Sequence, residues 1–182
     1  MIVIIFIIAF FLIFRIASIA NHPLPATNHW HHHFDNMNYS SVEFYKHIET
    51  FVSVEQIPGI KSYVVSYAEE GQFSMKRNYL RITRKRMIFD ICAAPYGRGF
   101  FISWWQSRFL SPAEVLIAAI PFIGPNILKF QRSQTYFEID TETMFKETIH
   151  ECVLKAINNV TSEQGIRLAS QSERSMLISA QL

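Results

Sequence analysis

The chain is expected to be an α+β protein: one N-terminal transmembrane helix, an antiparallel meander of about five strands, two amphipathic helices packed on that sheet, and a short apolar helical insertion. Three observations predict this. Ile2 to Ala20 is apolar apart from Arg15 and Ser18. Successive stretches between Ile60 and Trp105 alternate with the two-residue period of strands and are separated by turn residues. The stretches after Ser40 and Asp140 carry apolar residues at helical spacing.

The leading segment, residues 1–20, is read as an anchor. About 19 residues at ~1.5 Å each span roughly 28 Å, close to the hydrocarbon thickness of a bilayer. Arg15 lies near one end, where its stem can lift the charge to the headgroups. Ser18 and Ala20 have the spacing of a signal-peptide cleavage site, but no basic segment precedes the apolar run, which favours an uncleaved helix. The Lys and Arg residues all follow the apolar core. The positive-inside rule therefore puts the rest of the chain in the cytoplasm, at the inner membrane of a bacterial-type cell.

Residues 21–40 contain Pro23, Pro25 and the run His29-Trp30-His31-His32-His33, and read as an extended juxtamembrane linker. Clustered imidazoles are candidate ligands for Zn²⁺, Ni²⁺ or Cu²⁺. Neighbouring residues cannot all converge on one ion without a turn, so a wet interfacial loop is the plainer expectation.

The cytoplasmic domain, residues 41–182, opens with Ser40 and Glu43 at capping-box spacing, followed by Phe44, Ile48, Phe51 and Val52 on one helical stripe. That helix should end before Pro58-Gly59. Strands are expected over Ile60 to Ala68, Asn78 to Arg84, Met87 to Ala93 and Phe100 to Trp105. Adjacent Trp104 and Trp105 must point to opposite faces, one into a core and one toward a second layer, a partner or lipid. Ser111-Pro112-Ala113-Glu114 is a helix-start signature opening an apolar insertion over 111–130, broken by Pro121, Gly124 and Pro125. Basic residues flank it on both sides, which suits a shallow membrane-dipping hairpin or a buried helix better than a second crossing. Thr135 to Ile139 reads as a strand. Asp140 then caps a helix whose stripe is Phe145, Ile149, Cys152, Val153, Ala156, Ile157 and Val160.

Tyr79-Leu80-Arg81-Ile82, Phe89-Asp90-Ile91-Cys92-Ala93-Ala94-Pro95, Gly97, Gly99-Phe100-Phe101 and Ser103-Trp104-Trp105 together form a recognisable pattern. It continues through Thr135-Tyr136, Ile139-Asp140, Met144-Phe145 and Gly165-Ile166-Arg167. The pattern resembles a family of uncharacterised bacterial membrane-associated proteins. The resemblance implies membrane association and carries no activity or catalytic residue.

Three sets of side chains are candidates for function. Cys92 with Asp90 and His150 is the only set compatible with nucleophilic chemistry, and no recognised catalytic spacing accompanies it. Arg81, Arg84, Lys85, Arg86, Arg98 and Arg108 concentrate positive charge around the meander, suited to anionic lipid or to a small anionic, nucleotide-like ligand. Phe100, Phe101, Trp104, Trp105, Phe109 and Phe122 are core or interface. With 49% apolar and 18% charged residues and a net charge of only +2, nucleic acid is a poor partner. No cofactor is implied. Two cysteines, Cys92 and Cys152, are too few for a disulfide framework. The function expected is a non-enzymatic assembly or accessory module on the membrane, homo-oligomeric or part of a larger membrane complex. A ligand sensor coupled to the anchor and a cysteine-dependent hydrolase are the alternatives.

Overall fold

In the computed structural model the described residues are 2–68, 76–120 and 135–163, with side chains of the leading helix described at Phe6 and from Phe10 onward. Helix α1 (Ile2–Asn21) leads into strand β1 (Asn28–Phe34), helix α2 (Ser41–Val54) and strands β2 (Ile60–Ala68), β3 (Lys76–Arg84), β4 (Met87–Tyr96) and β5 (Gly99–Arg108). Helices α3 (Pro112–Ala119) and α4 (Tyr136–Glu163) follow. The strands form one antiparallel sheet in the order β1-β5-β4-β3-β2. The α+β class and the five-stranded antiparallel sheet are therefore as expected. Among the described residues no helix is long and apolar enough to cross a membrane.

Two hairpins set the register. Lys85-Arg86 joins β3 to β4, and Gly97-Arg98 joins β4 to β5. Gly97 has φ 61°, the left-handed conformation that a two-residue hairpin asks of its first turn residue. Pro95 lies beyond the last β3 pairing, so its missing N–H breaks no ladder bond there.

One sheet face carries Trp30, Phe34, Phe100, Ile102, Trp104, Phe89, Ile91, Ala93, Leu80 and Ile82, all buried. Helices α2 and α4 pack on each other and on β4 across this face. The expected α4 stripe is buried throughout, and Phe44, Ile48 and Val52 of α2 meet it. Ser40 caps α2, accepting from the Glu43 N–H at 3.4 Å. β2 alternates as expected, yet neither of its faces is buried. It is an exposed edge.

Two expectations are corrected. The histidine run is not a linker but β1, paired to β5 from Asn28↔Gln106 to Phe34↔Phe100. Trp30 and Phe34 are buried on its inner side, and Met37 just beyond is in the core, so apolar anchors hold the segment down. Tyr136 to Ile139 is the first turn of α4, not a strand. Thr135 and Glu138 form a capping box there: Glu138 N–H donates to Thr135 Oγ1 at 3.2 Å, and Thr135 N–H donates to Glu138 Oε2 at 3.0 Å. Pro121, Phe122, Gly124, Pro125 and everything after Glu163 lie outside the described residues.

Candidate functional site

The sheet face away from α2 and α4 holds most of the polar candidates. In register across all five strands run His29, Trp105, Asp90, Arg81 and Tyr63, with His31, Ser103, Cys92, Tyr79 and Val65 in the next row. Arg81 grips Asp90 bidentately, Nε to Oδ1 and Nη2 to Oδ2, both at 2.7 Å. Their side chains are only 8% and 10% exposed. Tyr67 completes the group, donating its hydroxyl to Asp90 Oδ2 at 3.0 Å and accepting from Arg81 Nη2. The hydrogen bonds to Asp90 push the Arg81 pKa upward despite burial. A charge pair this enclosed is a structural clamp on β3 and β4. Arg81 is consequently not a free cation for lipid or ligand.

Cys92 shares this face with Asp90, as strand parity requires. It is buried, and burial pushes its thiol pKa up although Arg77 and Tyr79 pull the other way. The thiol is therefore poorly activated as a nucleophile. His150 lies on α4, across the sheet, where its Nδ1 accepts the Trp104 indole N–H at 3.0 Å and its ring meets Trp30 edge-on at 5.4 Å. Cys92, Asp90 and His150 are thus not one constellation, and Asp90 is already committed to Arg81. Cys152, buried in α4, has its pKa raised to about 11 by burial.

The remaining basic candidates are dispersed. Arg84 Nε donates to the Pro58 carbonyl at 3.3 Å, while Lys85 and Arg98 sit exposed in separate hairpins. Arg86 and Arg108 both bind Glu114, at 3.0 and 3.3 Å. Glu114 also completes the capping box of α3 by accepting the Ser111 N–H at 2.6 Å. One carboxylate serving two guanidiniums leaves an excess positive charge where α3 leaves the sheet. In the sequence Glu114 is legible only as a helix-start signal. Its second role needs the β3–β4 turn to bring Arg86 alongside.

The aromatic group divides as adjacent tryptophans must. Phe100 and Trp104 are core, Phe101 and Phe109 are half-buried, and Trp105 is 43% exposed on the outer face. His29 stacks on Trp105 with ring centroids 4.9 Å apart. His31 and His33 share that face, whereas His32 turns inward. Among the described residues, no group of three or more His, Cys, Asp or Glu is gathered closely enough to hold a metal ion.

The most unusual surface lies at one end of the molecule. α1 packs along α3. Leu24 N–H bonds the Arg108 carbonyl at 2.9 Å, and Thr27 N–H bonds that of Gln106 at 2.8 Å, so both helices leave from the same end of β5. Val115, Ala118 and Ala119 of α3 are buried, whereas Leu116 and Ile120 point out. On α1, the consecutive residues Phe10 to Phe14 are each 46–70% exposed. At about 100° per residue these five cover the full circumference, so that stretch of the helix is apolar and open on every side. Tyr136 and Phe137 are exposed at the start of α4, the helix whose Glu142 accepts from Gln106 Nε2 at 2.9 Å near the same sheet end.

No family model matches the chain, and no curated protein does. The crystal structure of TTHA0849 from Thermus thermophilus is similar over 70% of this chain and 97% of its own at 14% identity, with a TM-score of 0.24. A likeness of that size carries no argument about fold or function.

Proposed function

We propose that this protein is a non-enzymatic, membrane-anchored module, with α1 in the bilayer and the α+β body held against the surface. The observation that supports it is the exposed apolar surface all round α1 at Phe10 to Phe14, beside the outward-facing Leu116 of α3 and Ile120 at its C-cap. In water that apolar area would gain nothing from burial, whereas acyl chains would cover it. Helix α1, Ile2–Asn21, at about 1.5 Å per residue is roughly 30 Å long, comparable to the hydrocarbon thickness of a bilayer.

In this reading Arg15, Arg86 and Arg108 face headgroups, and the uneven match of two arginines to Glu114 favours anionic lipid. Tyr136 and Phe137 occupy the aromatic belt. The body lies on the cytoplasmic side, where all Lys and Arg residues after Arg15 belong by the positive-inside rule. Its partners are the bilayer and further copies or subunits of a membrane complex of the inner membrane.

Flotation of the tag-free full-length chain on liposomes tests this. The wild type should rise with the vesicles, and more strongly when they contain anionic lipid. The double variant Phe10→Asp, Ile13→Asp should stay below while its body keeps the wild-type circular dichroism. A wild type that remains soluble and folded without vesicles, or a double variant that floats equally well, would contradict the proposal.

A further inference from the structure

We infer that the outer face of β1 is a binding site for a borderline transition-metal cation such as Cu²⁺, Ni²⁺ or Zn²⁺, held by the imidazole pairs His29–His31 and His31–His33. Strand geometry makes this possible. Residues two apart on a strand share a face, with Cα atoms roughly 6.6 Å apart at ~3.3 Å per residue. Two imidazoles can then lean toward one ion at about 2.0–2.1 Å from each nitrogen.

The structure supplies the placement. The rings of His29 and His31 stand side by side, parallel within 6° and with centroids 6.2 Å apart, and rotation of the two side chains turns their nitrogens toward one ion between them. His29 is braced by its stack on Trp105, and His31 lies 6.0 Å from the Phe101 ring. His33 Nδ1 is 3.4 Å from Asp35 Oδ1, a carboxylate of the kind that orients a liganding imidazole, and its Nε2 lies 3.5 Å from the Tyr96 carbonyl, a long contact that an ion would replace. All three histidines are exposed on an edge strand, so an ion reaches them without opening the fold. Two imidazoles at a time, with water in the other positions, constitute an open chelate rather than a closed structural centre. That is compatible with the lack of any three-ligand cluster among the described residues.

His32 is the built-in control. It belongs to the same run but faces the core side, 4.4 Å centroid to centroid from Phe34. The ligand set is therefore alternate histidines, not the run as such.

Cu²⁺ titration of the tag-free full-length protein in detergent, read by tryptophan fluorescence, tests the inference. Trp105 is the one indole touching the site, because Trp30 and Trp104 lie on the other side of the sheet. Saturable quenching at one equivalent is expected, and it should be absent in Trp105→Phe. Calorimetry with Ni²⁺ should show His31→Asn weakening binding at least as much as losing a group that only orients a ligand, roughly tenfold. His32→Asn should bind as the wild type does. His29→Asn, with retained circular dichroism, gives a second reading if His31→Asn fails to fold. Unchanged affinity in His31→Asn and His29→Asn, or quenching that persists without Trp105, would overturn the site.

Discussion

Phe89 and Phe11 are the same side chain in opposite circumstances. Phe89 is fully buried in β4, its ring 4.6 Å from Trp104 and 6.2 Å from Phe145. Phe11 stands 70% exposed on α1, and its neighbours are exposed around the whole helix. The body closes over its apolar groups, while the α1–α3 end presents them outward. Burial is worth about 25 cal/mol per Å² wherever it occurs, so a region that forgoes it internally obtains it from another medium or partner. On that contrast the functional reading rests.

The contrast can be broken most decisively by truncating each phenylalanine. Phe89→Ala should cost about 3–5 kcal/mol in denaturant unfolding, through lost burial and the cavity left behind. Phe11→Ala should change the same unfolding free energy by no more than ~0.5 kcal/mol, because nothing in the body closes around it. Equal losses at both sites would mean that α1 belongs to the body.

Asp90→Asn asks whether the outer sheet face is as integral as the inner. Removing one partner of an ion pair this enclosed should cost about 3–5 kcal/mol, because Arg81 keeps a buried, uncompensated charge. A change below about 1 kcal/mol would make the outer face a wet surface rather than part of the body. Gly99→Ala probes the β1 seam, where a Cβ would collide with the Phe34 carbonyl and the His33 ring. About 1–3 kcal/mol is expected from forcing the strands apart. Hydrogen exchange should show the loosening concentrated in β1 rather than in α1.

How much of this is legible in the sequence differs by region. The hairpin pairing is: Arg84 faces Met87 across Lys85-Arg86, so paired numbers sum to 171 and Arg81 must face Asp90. Hydrophobic alternation likewise marks β2 and the start of β4 at their observed bounds, and helical spacing marks the α4 stripe. β1 is not legible, because polar histidines mask an inward alternation of Trp30, His32 and Phe34 that only the pairing to β5 reveals. In α4, the β-forming side chains of Tyr136 and Phe137 point to a strand, whereas the Thr135/Glu138 capping box is the true local signal. Where His150 lies relative to Cys92 depends on which sheet face α4 covers, and no local pattern encodes that.

The smallest effect is a pH dependence confined to the body. Burial first, and then the charge of Asp90, push the Tyr67 pKa from 10.0 up to about 12. The unfolded chain loses that proton at lower pH than the folded one, so the stability contributed by native Tyr67 is fully present below the unfolded value of 10.0. The contribution is lost as pH rises through about 12. Tyr67→Phe should flatten the alkaline limb of the stability profile and leave liposome flotation untouched.

The most direct measurement compares Ile13 on α1 with Val54 on α2, two apolar side chains of similar exposure, 65% and 70%. A nitroxide label is placed at each in the full-length protein reconstituted in liposomes. The label at Ile13 should relax with oxygen dissolved in lipid and be shielded from a water-soluble nickel chelate, and the label at Val54 should do the reverse. Equal exposure of both labels to the aqueous chelate would contradict the anchor and the account built on it.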